Sequence, residues 1–189
     1  MPVLFIHGGG DNAYAFDSEL VQRLGAALGP HVPIAFPRVE GLEKIEWHET
    51  FQQLSQTLAA TTPDTIVVAH SIGGAAVLKV LSTIDRLAIR NLVVLAAPYK
   101  ADDSHWGNDD FTFPSDFAER LKPLLITMYH SRDDEVIPVE DALVYAKKLP
   151  CATVRILDGY GHQFVKTLDF LADDVNARLR AAAKTAWRV

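Results

Sequence analysis

The chain has one cysteine, Cys151, two methionines and no cluster of lysine and arginine. A single thiol excludes an intrachain disulfide framework and is the usage expected in a reducing compartment. Cys151 leads through Ala152 into an apolar run, the setting of a buried structural thiol rather than a reactive one. No apolar stretch approaches the length of a membrane span. The N-terminal apolar run is short and has no basic segment ahead of it, which is not the pattern of a secretory leader. The formal charge of −6, with no basic patch, argues against nucleic acid as a partner. Metal-ligand spacing is also missing. Asp102, Asp103, Ser104 and His105, with Asp109 and Asp110, fit neither a calcium loop nor a zinc helix, and His48-Glu49 lacks a second histidine four positions on. There is no repeat and no low-complexity tract. These absences lead to the expectation of a cytoplasmic protein that needs no metal or organic cofactor and does not bind membrane; oligomeric state is left open.

What is present is apolar bulk arranged with punctuation. Of 189 residues 49% are hydrophobic, enough for the core of one domain spanning residues 1–189. Strand-like and helix-like segments alternate from end to end, which predicts an α/β fold with a doubly wound, mostly parallel sheet of about six strands. The strands expected are Val3–Ile6, Pro33–Phe36, Thr65–Ala69, Leu92–Ala96, Leu124–Met128 and Thr153–Leu157. Apolar stripes at helical spacing lie between them: Leu20, Val21, Leu24 and Leu28; Phe51, Leu54 and Leu58; Val77, Val80, Leu81 and Ile84; Val139, Leu143 and Ala146. A last stripe follows at Val165, Leu168, Leu171, Val175 and Leu179.

Three pieces of polar punctuation fall at strand ends. Ala69-His70-Ser71-Ile72-Gly73 puts a serine on the sharp turn between a strand and a helix, the nucleophile-elbow pattern with Ala69 in place of its usual first glycine. The segment His130–Pro138 reads as a polar loop holding Asp133 and Asp134, and Asp158-Gly159-Tyr160-Gly161-His162 follows the sixth strand. Nucleophile, acid and histidine therefore occur in the chain order that a hydrolytic triad needs in such a sheet. A fourth piece, His7-Gly8-Gly9-Gly10, follows the first strand. Acyl transfer builds charge on a carbonyl oxygen, and two fixed backbone N–H groups stabilise it. The candidates are Ile72, directly after the serine, and Gly9, with Gly10 as an alternative to Gly9.

Each of these residues also has an ordinary structural explanation. Ser71 is a favourable helix N-cap, His162 sits on a surface loop, and acids near Pro138 cap the helix that follows. The ordered acid and histidine loops favour the catalytic reading. His70 is expected to point away from the nucleophile and carries no assigned chemistry; His7 is expected to hold the glycine turn. The irregular stretch from Pro98 to Pro114 contains Trp106, Phe111 and Phe113, which either wall an acyl pocket or anchor the loop to the body.

Taken together, His7–Gly10, Ala69–Gly73, Asp134–Pro138 and Gly161-His162 resemble an α/β-hydrolase. The size and the immediate start on the His-Gly strand look most like the small serine hydrolases that include retinoblastoma-binding protein 9. The resemblance covers nearly the whole chain. It implies a minimal α/β-hydrolase fold without a cap domain, a sheet with the first strand between the second and third, and a triad of Ser71, Asp134 and His162. In that family the acid stands four residues before a Val-Pro or similar pair, which falls on Asp134 rather than Asp133. The implied activity is hydrolysis of carboxylic esters or related small acyl substrates through an acyl-enzyme.

Two other classes compete. Gly8–Ala13 formally satisfies the G-x-G-x-x-A dinucleotide fingerprint, but the second strand ends in Phe36-Pro37-Arg38 with no ribose-binding acid. A non-catalytic interaction module on a hydrolase scaffold is the third class. The pocket-protein motif L-x-C-x-E fails at Leu149-Pro150-Cys151-Ala152-Thr153, so that partner is not supported.

Overall fold

In the computed structural model, residues 2–84, 88–99 and 112–186 are described. Six parallel strands form one sheet: β1 (Val3–Ile6), β2 (Ile34–Ala35), β3 (Ile66–His70), β4 (Asn91–Leu95), β5 (Leu125–Ser131) and β6 (Ala152–Leu157). Their spatial order is β2-β1-β3-β4-β5-β6. The first strand therefore lies between the second and third, as the resemblance implied. The helices are α1 (Ala13–Leu28), α2 (Glu40–Lys44), α3 (Trp47–Ala59), α4 (Ser71–Thr83), α5 (Phe117–Leu121), α6 (Val139–Lys148) and α7 (Asp169–Ala186).

Alternation along the strands builds two cores. Leu4, Ile6, Val67, Ala69, Leu92, Val94, Ile126 and Met128 face α3, α4, α5 and α6. Val3, Phe5, Ile66, Val68, Val93, Leu95 and Tyr129 face α1 and α7, meeting Leu20, Leu24, Leu28, Leu171 and Val175. Central strands buried on both faces are largely apolar, which is why β1, Ile66 to Ala69 of β3 and Leu92 to Leu95 of β4 read as hydrophobic runs.

Several elements differ from expectation. β5 continues through His130 and Ser131, both buried, so the acid loop starts later than a reading of polar residues as loop implies. In α6 the inward face is Ala142 and Tyr145, while Leu143 is 55% exposed. The Tyr145 hydroxyl donates to the Pro98 carbonyl at 2.8 Å, and burying that large ring sets the helix rotation. Val165 is 70% exposed and precedes α7, and Ile84 follows the end of α4. The short helices α2 and α5 carry too few residues to display a period.

Register brings the chemistry to one edge. Ile6 pairs with Ala69, so the glycine loop and the serine leave the sheet at the same level. Ser131 pairs with Leu157, which does the same for the acid and histidine loops. The strand order reverses between β1 and β3, and a crevice opens at the carboxyl ends beside such a reversal.

Candidate active site

Ser71 has φ of 52°, a left-handed backbone that non-glycine residues adopt only when their surroundings enforce it. The enforcement comes from β3 below and α4 above, two elements that the chain must join with no spare residue. Gly73 permits it: a β-carbon there would lie 2.0 Å from the His7 carbonyl oxygen. Ala69 is fully buried in the core and is accommodated where the usual elbow has glycine.

The structure brings Ser71, His162 and Asp134 into a line. The Asp134 side chain is sealed from solvent and its carboxylate accepts from His162 Nδ1 at 2.9 Å. That contact fixes the proton on Nδ1 and leaves Nε2 as an acceptor for the Ser71 hydroxyl, 3.1 Å away. Asp134 also accepts the Val136 and Ile137 amides at 2.9 and 2.8 Å. Burial opposes its charge, but the His162 hydrogen bond and charge and these two amides hold the carboxyl below the usual aspartate range. Burial dominates at His162 and lowers its pKa below the ordinary histidine value, against the raising effect of Asp134. A neutral imidazole is the form able to accept a proton.

Asp133 does a different task. It accepts from the Ser131 hydroxyl and from the Gly159 amide, while Ser131 Oγ accepts the Tyr160 amide at 2.9 Å. These bonds latch the acid loop to the histidine loop. His130 Nε2 donates to the Ile137 carbonyl at 2.8 Å and closes the acid loop from within. Arg23 of α1 holds the other side of the histidine loop, donating to the carbonyls of Gln163, Phe164 and Lys166.

Among the glycine-loop amides, geometry separates the candidates. Gly8 donates to Asp17 Oδ2 at 2.7 Å, and Gly10 donates to the Leu42 carbonyl at 3.1 Å, so the Gly10 amide is already engaged. The amides of Gly9 and Ile72 have no acceptor among the described residues. They belong to abutting segments: a β-carbon on Gly9 would approach Ile72 Cδ1 to 3.0 Å. The same occupancy tells against the dinucleotide reading, because a phosphate cradle needs a row of open amides and here two of three are taken.

His7 holds the glycine turn as a neutral ring. Its Nε2 accepts the Val39 amide at 2.9 Å and its Nδ1 donates to the Gly8 carbonyl at 2.7 Å. Burial lowers its pKa accordingly. Trp106 and Phe111 lie outside the described residues. Phe113 is half-buried, stacks on Phe117 at 4.9 Å and meets Tyr99 and Tyr145, the contacts of an anchor.

Sequence reasoning missed Asp17 and misjudged His70. The His70 ring does not turn away from the site; its centroid is 4.8 Å from that of His162. A signal for Asp17 was available: it stands in phase with Leu20, Leu24 and Leu28 on the buried stripe of α1, where a lone carboxylate needs a partner.

Comparison with known proteins bears on the fold and the family. No curated protein sequence matches the chain. Solved structures do match. The ydeN gene product of B. subtilis superposes with a TM-score of 0.73 at 18% identity, covering 94% of this chain and 98% of that one. Est1E from Butyrivibrio proteoclasticus gives 0.64 at 16% identity, covering 92% and 84%. The meta-cleavage product hydrolase CumD from Pseudomonas fluorescens gives 0.66 at 17% identity, covering 96% and 91%. At these identities the likeness speaks for a shared α/β-hydrolase fold. The family model described as serine hydrolase matches residues 37–167, well over half of the sequence. This chain belongs to the serine hydrolase family.

Proposed function

We propose that the chain, as one domain spanning residues 1–189, hydrolyses carboxylic esters or related small acyl compounds through an acyl-enzyme on Ser71. The observation that carries this reading is the unbroken line from the Asp134 carboxylate through His162 to the Ser71 hydroxyl, at 2.9 and 3.1 Å. In this mechanism His162 Nε2 takes the hydroxyl proton as Ser71 Oγ attacks the carbonyl carbon. The carbonyl π electrons move onto oxygen, and the Gly9 and Ile72 amides donate to that oxyanion. Collapse expels the alkoxide, which receives the proton from His162. Water then attacks the acyl-serine by the same route in reverse. Asp134 fixes the histidine tautomer and stabilises its cation at each proton transfer. Two neighbours of the same fold are an esterase domain from a Rhodothermus marinus protein and a meta-cleavage product hydrolase. Within the family, the resemblance is to the small hydrolases that include retinoblastoma-binding protein 9.

A fluorophosphonate probe should label the protein once, on Ser71, and Ser71→Ala should abolish both labelling and turnover of a short p-nitrophenyl ester. Labelling that survives in Ser71→Ala would remove this serine from the mechanism. An acyl-chain series of p-nitrophenyl esters then gives the preferred acyl length.

A further inference from the structure

Beneath the serine lies a second aspartate–histidine pair. The side chains of His70 and Asp17 are each 1% exposed. His70 Nδ1 is 2.8 Å from Asp17 Oδ1 and 3.0 Å from Oδ2, and its Nε2 is 3.0 Å from the His162 carbonyl oxygen. Both ring nitrogens therefore face groups that only accept. A neutral imidazole carries one N–H, so one contact would oppose two lone pairs in a site with no solvent to relieve it. An imidazolium satisfies both, and the Asp17 carboxylate supplies the counter-charge.

The pair also joins two parts of the site. Asp17 Oδ2 accepts the Gly8 amide, next to the Gly9 amide that the proposed mechanism assigns to the oxyanion. His70 grips the backbone of the residue whose ring serves as base. That loop takes left-handed backbone at Gly159, Gly161 and Phe164, and the buried Phe164 ring lies edge-on to His70 at 6.3 Å between centroids.

We propose that His70, held as an imidazolium by Asp17, is a positioning residue that ties the oxyanion loop to the backbone of His162 and keeps the His162 ring neutral by its fixed charge. The proposal rests on the hydrolase reading of Ser71 and His162. The ionisable groups around the two rings come from every neighbouring element. They are Asp17 from α1, with His7 after β1 acting on it, Asp134 and Glu135 from the acid loop, and His130 near the end of β5, whose Nε2 is 3.4 Å from Asp134 Oδ2, with Arg23 of α1 on the carbonyls of the histidine loop. Of these, His70 is the cation in ring contact with His162. The shifts run in the same direction. Burial opposes charge on His70, but Asp17, the His162 carbonyl and Asp134 hold it above the ordinary histidine value. For His162, burial is the largest lowering influence and the His70 charge adds to it.

The test has a spectroscopic arm and a kinetic arm. Side-chain ¹H–¹⁵N spectra of the wild-type protein near neutral pH should show both His70 nitrogens protonated; one unprotonated nitrogen overturns the proposal. His70→Gln keeps a donor for the His162 carbonyl without a charge, and His70→Leu keeps neither. In His70→Gln the acid limb of kcat/KM should move up by about 0.5–1 pH unit as the cation is lost. Its kcat should fall roughly tenfold with KM little changed, and His70→Leu should fall roughly tenfold further. Equal losses in both variants with an unmoved acid limb would reduce His70 to a packing residue and overturn the proposal. Failure of wild type to react with fluorophosphonate would overturn the hydrolase reading instead, while the spectra still report the ring.

Discussion

Adjacent aspartates with opposite fates carry the clearest lesson at the scale of single residues. Asp134 places its carboxylate, fully buried, against His162 Nδ1 and two amides; Asp133 turns outward to Ser131 and the Gly159 amide. Only Asp134 can set the histidine tautomer. Asp134→Asn should lower kcat by about 10⁴-fold, and Asp133→Asn, which loosens the latch without touching the ring, by no more than about tenfold. Steady-state kinetics on one p-nitrophenyl ester compares the two directly, and the reverse ranking would exchange their roles. The base gives a second prediction. As the proposed base, His162 must be neutral to accept the serine proton, and burial favours that form, holding its pKa below the ordinary histidine value. Activity should therefore rise as pH increases through a midpoint below 6.5 and stay level through neutrality. A midpoint at or above 6.5 in the pH profile of kcat/KM would mean that the ring is more solvated than its burial implies.

Between residue and fold stand the elements, and here the elbow depends on how closely α4 passes β1. A methyl group at Gly73 would lie 2.0 Å from the His7 carbonyl oxygen, a backbone atom of the segment that leads into the glycine loop. Gly73→Ala must push that segment and α4 apart. It should destabilise the protein by roughly 2–4 kcal/mol in urea unfolding and slow fluorophosphonate labelling of Ser71 in the fraction that remains folded. Unchanged stability would mean that the elbow has slack. The elbow was legible in sequence because small residues, a serine and a strand-helix switch coincide within five positions, Ala69 to Gly73. The two oxyanion candidates were narrowed only by structure, since engagement of the Gly10 amide by Leu42 depends on α2, a helix too short to announce itself. The inward face of α6 was misread for a related reason: hydropathy ranks Leu143 above Tyr145, yet the tyrosine is buried because its hydroxyl finds the Pro98 carbonyl.

At the scale of the whole molecule, parallel order and two-sided burial were readable because β1, Ile66 to Ala69 of β3 and Leu92 to Leu95 of β4 are apolar without interruption. The coupling of buried charge across the sheet edge was not, since Asp17 and His70 are 53 positions apart, Asp17 belongs to no motif and His70 fills a position of the elbow that its pattern leaves unspecified. That pair leaves a signature in global stability. Despite burial, Asp17 holds the folded-state pKa of His70 above 6.5, so folding favours its protonated form. Its contribution is complete below the unfolded value of 6.5 and is lost as pH rises through the higher folded value. Between those two values stability falls by about 1.4 kcal/mol per pH unit from this group alone. His7 has the opposite sign. Burial lowers its folded pKa, so its contribution is present above 6.5 and is lost as pH falls through the lower folded value. Wild-type stability should therefore peak near pH 6.5 and decline on both sides, measured by calorimetry up to about pH 7.5, below the range in which the Cys151 thiol and the phenols titrate. In His70→Gln the alkaline decline should flatten while the acid-side decline persists, because His7, held between Val39 and Gly8, is untouched. An alkaline slope identical in both proteins would show that His70 does not carry a proton through neutral pH, and the buried pair would then be a neutral hydrogen bond.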